Sequence, residues 1–262
     1  MIKLFATDMD GTFLRADMSY DRALFNQLHQ QMQAQGVQFV VASGNQYYQL
    51  KTFFADYPDI IFAADNGAYV RDIDQEYAVH TYDPAVVTQI LQALQSVPNI
   101  DIILSGQHSA FVLDTIRPSA LAAAKLYYYN LEVVRNFEDV TDPILKIWVE
   151  CQPAITMQLV AQFREQFKGL AEPTSSGHGS IDLIQPGIHK AHALQEIGKL
   201  KHIAMADMVA FGDGGNDVEM LQQVGIGVAM QNALPQVLAV ADQVTDNNEN
   251  QGVLEFIKQK LA

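Results

Sequence analysis

Near its start the chain reads Ile2-Lys3-Leu4-Phe5-Ala6-Thr7-Asp8-Met9-Asp10-Gly11-Thr12. Residues 2–7 form a short, mostly apolar run that stops in acid and glycine, the pattern of a buried strand entering a turn. The pattern recurs. Val37–Ala42 runs into Ser43-Gly44-Asn45, Ile60–Ala64 into Asp65-Asn66-Gly67, and Met208–Phe211 into Gly212-Asp213-Gly214-Gly215; Ile226–Ala229 is a further run. Helical spacings lie between them. Leu24, Leu28 and Met32 repeat every four residues, with Ser19 as the expected N-cap and Gly36 as the stop. Further helices are expected at Gln46–Ala55, His189–Leu200, Asn216–Val224, from Pro235, and at Gly252–Leu261. Strand–helix alternation at both ends predicts an α/β fold, a Rossmann-like doubly wound core with a parallel sheet and helices on both faces.

The middle of the chain reads differently. Asp83-Pro84 opens a helix with an acid cap and proline in the first turn. Strands are expected at Ile100–Leu104, Ala110–Leu113, Leu131–Val134, Ile144–Val149, Gly169–Glu172 and Ser180–Ile184, with helices at Pro118–Tyr127 and Pro153–Phe167. Strands that arrive in pairs predict an antiparallel sheet with helices on one face, hence an inserted α+β domain over residues 82–186. The core would then comprise residues 1–81 and 187–262, with Asn66-Gly67 starting a hairpin towards Tyr77–His80.

Composition narrows the function. The 262 residues carry a net charge of −14, which repels phosphate backbones and anionic lipid heads, so nucleic-acid and membrane partners are not expected. Hydrophobic residues at 49% supply a sizeable core, which excludes global disorder. One cysteine, Cys151, excludes an internal disulfide framework and a cysteine zinc site. No apolar stretch reaches the length of a membrane span, and the expectation is a cytoplasmic protein, monomeric or weakly dimeric.

Four polar clusters could carry chemistry. Asp8 and Asp10 stand two apart at a strand end, where ligands of open α/β sheets bind. Close acids split their pKa values: one stays a nucleophile or metal ligand and the other can hold a proton. An Asp- and Gly-rich turn explains the same residues equally well. A calcium loop does not, because counting from Asp8 its glycine and glutamate positions hold Phe13 and Ser19. Ser43 and Gly44 start a helix and could bind an anion there, or simply cap it. Lys190 sits in a first helical turn, against the helix dipole, which points to an anion nearby, although a solvated surface lysine is the common default. Asp213, Asn216 and Asp217 with their glycines exceed what a helix cap needs and could hold a hard divalent cation. Trp148 is expected in the core, Cys151 as a bystander, Asn66 as a turn residue first and a ligand second, and Tyr127-Tyr128-Tyr129 on the insertion's surface or in its core, with a face towards a ligand as the alternative.

In this order the clusters resemble the haloacid dehalogenase superfamily of phosphatases. Asp8-x-Asp10-Gly11-Thr12 resembles its first motif; Ser43, Lys190 and Gly212-Asp213…Asn216-Asp217 resemble the other three. Gly227-Val228-Ala229-Met230-Gln231-Asn232-Ala233 and Thr245-Asp246-Asn247-Asn248 look like marks of the Cof-type branch, and the insertion resembles its C2-type cap. Val41–Tyr48 and Thr174-Ser175-Ser176-Gly177 are similar to bacterial sugar phosphatases, which share Asn at position 45 where many relatives carry Arg. The resemblance implies Asp8 as nucleophile and Asp10 as general acid and base. It implies Mg²⁺ on the Asp8 carboxylate, the Asp10 carbonyl and Asp213, with Asp217 orienting that shell. Ser43, Gly44, Lys190 and Asn216 would hold the phosphate of a small phosphorylated metabolite. Ser175, Ser176 and His178, in a polar loop of the cap, would contact a sugar leaving group. The expected activity is hydrolysis of sugar phosphates through an aspartyl phosphate. A phosphatase of flavin mononucleotide or pyridoxal phosphate, a phosphomutase and a non-catalytic phosphosugar-binding module are the rivals.

Overall fold

The computed structural model describes residues 1–177 and 179–262, and of Ser176 the backbone. The first part of the chain forms β1 (Leu4–Thr7), α1 (Arg22–Gln35), β2 (Gln38–Ala42), α2 (Tyr47–Phe53), β3 (Ile61–Ala64), β4 (Tyr69–Arg71) and β5 (Glu76–Val79). The middle forms α3 (Pro84–Leu94), β6 (Asp101–Gly106), β7 (Ala110–Leu113), α4 (Pro118–Tyr127), β8 (Leu131–Val134), β9 (Ile144–Glu150), α5 (Thr156–Gln166), β10 (Glu172–Gly177) and β11 (Ser180–Ile184). The last part forms α6 (Lys190–Lys201), β12 (Met208–Gly212), α7 (Val218–Gln223), β13 (Ile226–Met230), α8 (Pro235–Leu238), β14 (Gln243–Thr245) and α9 (Gly252–Leu261).

The core sheet has the order β14-β13-β12-β1-β2-β3-β4-β5. It is parallel from β14 to β3, and β4 and β5 extend it antiparallel. β1 is central, and all four of its residues are buried, as both faces of a covered parallel sheet require. Helices pack on the sheet in pairs, α1 with α9 and α6 with α7. The expected hairpin after Asn66-Gly67 is formed by β3 and β4, and Glu76–Val79 pairs with β4 in turn. β4 and β14 are the strands that the sequence pattern did not suggest; at three residues each they are too short to show a period.

Helix α1 is capped by Asp21, not Ser19: the Asp21 carboxylate accepts from the Leu24 N–H at 2.9 Å, while the Ser19 hydroxyl accepts from Arg15. Gly36 ends the helix at φ 68°, a left-handed conformation that glycine adopts without a Cβ clash. Its buried stripe is Phe25, Leu28 and Met32, with Leu24 at the edge.

The inserted sheet has the order β10-β11-β9-β6-β7-β8. It is antiparallel except for β7 and β8, which run parallel around α4. Alternation along its strands separates two apolar layers. Leu104, Ile147, Val149, Ile181 and Leu183 pack with Val87, Ile90, Leu159 and Phe163 of α3 and α5. Ile103, Val112 and Trp148 pack with Ala124 and Tyr128 beside α4. The helices therefore do not share one face as expected. A parallel β–α–β crossover is what carries α4 to the opposite face. The expected strand Gly169–Glu172 is displaced to Glu172–Gly177, because Gly169 takes φ 79° in a turn that ends α5. Thr174–Gly177, expected in a polar loop of the cap, are thus part of β10.

Candidate active site

Three strand ends of the core, those of β1, β2 and β12, converge on one cavity of about 490 Å³, roofed by the insertion. Beyond β1, the Asp8 N–H donates to the Phe211 carbonyl at 3.0 Å, which ties the turn to neighbouring β12. Gly11 turns at φ 73°, where a Cβ would also run into the Asp213 carboxylate. Only glycine allows the two acid-bearing loops to approach this closely. Thr12 donates its hydroxyl to Asp213 Oδ1 at 2.7 Å.

Lys190, the first residue of α6, is buried and donates to Asp8 Oδ1 and Asp217 Oδ1, each at 2.7 Å. The anion that its placement called for is thus a pair of protein carboxylates. Asp217 Oδ2 accepts from the N–H groups of Asp213 at 3.0 Å and Gly214 at 2.9 Å. Both Asp217 oxygens are therefore committed to holding the site's shape. Asp8, Asp213 and Asp217 offer oxygens within 4.8 Å of one another. Among the described residues no protein donor reaches Asp8 Oδ2 or Asp213 Oδ2.

The electrostatics of this cluster suit a dication. Burial pushes Asp8 well above the usual carboxylate range; Lys190 opposes this, while Asp217 and Asp213 add to it. Asp213 is pushed up to about 7 by burial and by Asp217, against the Thr12 hydrogen bond and Lys190. One ammonium does not compensate three close carboxylates. A hard cation with oxygen ligands would, and Asp8 Oδ2 and Asp213 Oδ2 are the oxygens left to bind it. The donor set fits Mg²⁺.

Asp10 stands apart from the cluster. Its Oδ2 accepts from the Asn45 amide at 2.6 Å, and burial raises its pKa against that bond and Lys190. A carboxyl so placed retains a proton more readily than an exposed one. Ser43 and Gly44 lie in a loop before α2, whose N-cap is Gln46, so the expected helix-start anion site is a loop instead. The Ser43 hydroxyl accepts from the Asn45 N–H at 3.1 Å. Asn216 lies in a 3₁₀ turn, Gly215–Asp217, ahead of α7 rather than at its start. Its amide donates to Asn66 Oδ1 at 3.1 Å, and its own Oδ1 is buried without a partner among the described residues.

Other residues contribute as well, and of these Lys146 and Asp182 were not singled out from sequence. Asn45 holds Asp10, and Asn232 donates to the Gly11 carbonyl at 2.7 Å. Asn66 does more than turn the chain: its amide donates to Asp182 Oδ2 at 2.6 Å. Lys146 donates to both Asp182 oxygens, at 2.9 and 3.0 Å, and to the Gly44 carbonyl at 2.6 Å. A lysine inside the apolar run Ile144-Leu145-Lys146-Ile147-Trp148 is the one signal that could have flagged it. Trp148 is buried as expected, yet it lines the cavity with Tyr127 and Tyr128 and donates to the Ser180 hydroxyl at 2.5 Å. Ser175 lines the cavity and donates to the Ser180 carbonyl. His178 and the Ser176 side chain lie outside the described residues. Cys151, buried just past β9, takes no part.

Among the described residues no helix is long and apolar enough to cross a membrane. A family model of haloacid dehalogenase-like hydrolases matches residues 5–257. Two curated phosphatases are similar along nearly their whole length. The 5-amino-6-(5-phospho-D-ribitylamino)uracil phosphatase YbjI of Escherichia coli (strain K12) is 39% identical over 261 residues, covering 99% of this chain and 96% of that protein. The HMP-PP phosphatase of Yersinia pseudotuberculosis is 28% identical, covering 100% and 96%. The crystal structure of SMU.1108c from Streptococcus mutans UA159 superposes with a TM-score of 0.95 at 31% identity, covering 100% of this chain and 99% of that one. With its strand-end acids, buried lysine and inserted domain, the chain belongs to the haloacid dehalogenase-like hydrolases, as a phosphatase of the Cof-type branch.

Proposed function

We propose that the chain is a Mg²⁺-dependent phosphatase of small phosphomonoesters that works through a phosphorylated Asp8. We assign residues 82–186 to a cap domain over a core of residues 1–81 and 187–262. The observation that carries the reading is the buried Lys190 bridging Asp8 and Asp217, beside Asp213. Phosphoryl transfer asks the protein mainly to position the reactants and to neutralise charge on the transferring oxygens. When bound, Mg²⁺ would neutralise those oxygens and relieve the repulsion between phosphate and carboxylate. Ser43, Gly44 and Asn216 line the cavity beside Asp8, where the phosphate would sit, and Lys190 donates to the Asp8 carboxylate. Asp8 attacks phosphorus, and the bond from phosphorus to the leaving oxygen breaks. Asp10, its pKa raised by burial, gives that oxygen a proton. It then takes one from the water that attacks the phosphoaspartate, which releases inorganic phosphate and restores Asp8.

The cavity has two kinds of wall. Asp182, Glu150 and Thr174 are polar, whereas Trp148, Tyr127 and Tyr128 are aromatic. That division suits a leaving group with both hydroxyls and a flat ring. It favours a phosphorylated sugar or sugar alcohol joined to a heteroaromatic ring over a bare sugar phosphate, and it agrees with the phosphoribityl-pyrimidine that names the 39% identical relative. The test is phosphate release from a panel of bare sugar phosphates, flavin mononucleotide, pyridoxal phosphate and a ribityl-pyrimidine phosphate. Release that needs Mg²⁺, stops with chelator and is abolished by Asp8→Asn is the expected result. Equal turnover across the panel would sink the ring-binding assignment. No turnover by folded protein would sink the phosphatase mechanism proposed here.

A further inference from the structure

Outside the active site, His80, His192 and Glu196 place a ligand atom each within 4.8 Å of one another. His192 and Glu196 are four residues apart in α6 and so share one helix face. His80 reaches them from the first crossing into the insertion, two residues before Tyr82. Glu196 Oε2 lies 2.9 Å from His80 Nε2 and 3.7 Å from His192 Nδ1. In a tetrahedral site with metal–ligand bonds of roughly 2.0–2.2 Å, donor atoms stand about 3.3–3.6 Å apart. The two distances fall on either side of that range.

A hydrogen-bonded surface pair accounts for His80 and Glu196 but leaves His192 unexplained. Its Nδ1 is buried, stands 3.7 Å from the same carboxylate, and has no hydrogen-bond partner among the described residues. The two imidazole rings sit 5.2 Å apart, centre to centre, at 74°, so their nitrogens can converge without stacking. Each crossing also has a fixed backbone here: the His80 N–H donates to the Ala68 carbonyl at 2.8 Å, and its carbonyl accepts from the Gln185 amide at 2.7 Å. The three side chains are thus presented by a rigid helix and a tethered strand end.

We propose that His80, His192 and Glu196 form a binding site for a borderline first-row cation of the Zn²⁺ class, with a coordination position left for water. Two imidazoles and one carboxylate select such an ion over Mg²⁺, which prefers oxygen. The ion would pin the first crossing to α6, the helix whose first residue is Lys190.

Cobalt(II) tests this on the full chain, because low-coordinate Co²⁺ with nitrogen ligands absorbs visibly and octahedral oxygen-bound Co²⁺ barely does. Titration in excess Mg²⁺ should give one equivalent of strong visible absorption, which Zn²⁺ displaces. His192→Ala and His80→Gln should each weaken Co²⁺ binding at least about tenfold, with circular dichroism reporting whether the variants fold. Asp213→Asn, which alters only the carboxylate cluster, should leave the spectrum unchanged. Absent absorption in the wild type would overturn the proposal. So would a spectrum that survives in folded His80→Gln or disappears in Asp213→Asn.

Discussion

Asp65 shows how a single side chain ties pH to stability. It follows β3 at φ 49°, its Oδ1 accepts from Ser105 of the insertion at 2.6 Å, and its Oδ2 is buried without a partner among the described residues. Burial pushes its pKa up to about 7, against the attraction of Lys146 and the Ser105 bond. In the unfolded chain an aspartate titrates near ~4. Between those values the folded protein holds a proton that the unfolded chain has lost, so this group's contribution to stability falls as pH rises from about 4 towards 7. Asp65→Asn keeps an acceptor for Ser105 and tolerates the left-handed backbone. The variant should lose less stability than the wild type between pH 5 and pH 8, by at most ~1.4 kcal/mol per pH unit. Thermal midpoints at the two pH values check this; an undiminished loss would assign the pH dependence to other carboxylates, such as Asp213. Asp8, Asp10, Asp213 and Asp217 could be read from sequence because acid and glycine at a strand end form a local pattern. Lys146 and Asp182 could not: each is an ordinary polar residue until distant segments bring it to the cavity.

At the scale of elements, the ends of helices and strands differ most from the sequence reading. Ser19 and Asp21 are both acceptable N-caps by residue type. The fold selects Asp21 because buried Tyr20 donates its hydroxyl to the Phe53 carbonyl at 2.7 Å and fixes where the chain enters α1. Asp21→Ala should therefore lower stability by ~1 kcal/mol, whereas Ser19→Ala should change it little. Denaturant midpoints of the two variants decide between the assignments. The helices α4 and α9 and the short strands β7, β8 and β11 were legible to the residue, and for α3 the start was. β10 was not, because Glu172-Pro173-Thr174-Ser175-Ser176-Gly177 has neither an apolar period nor strong strand formers. Pairing with β11 holds it extended.

Across the whole molecule, the insertion is fastened to the core by polar links. Lys146 binds the Gly44 carbonyl, Asn66 binds Asp182, Ser105 binds Asp65, and Gln46 exchanges two hydrogen bonds with Asn130, at 2.9 and 3.0 Å. Lys146 is the hub of these links. It is buried, and its pKa is raised because Asp182, Tyr128 and Asp65 outweigh the burial penalty. Lys146→Met removes one charge of a buried pair and leaves Asp182 with only the Asn66 amide. A loss of about 3 kcal/mol is expected, since breaking such a pair strands the remaining charge. Differential scanning calorimetry checks it; an unchanged midpoint would mean that Asp182 is solvated and the link carries little. The same substitution would loosen the roof over the aromatic wall.

The sequence by itself determined the α/β fold and the family and pointed to the four acids, because each rests on local periodicity or on short motifs at strand ends. Only the tertiary structure decided which face of the insertion α4 covers, that Trp148 and Tyr128 line a cavity, and that Lys190 is neutralised by Asp8 and Asp217. The reason is physical. Periodicity shows that a residue is buried but not against what, and a charge buried among distant partners acquires its role only when folding brings those partners within hydrogen-bond reach.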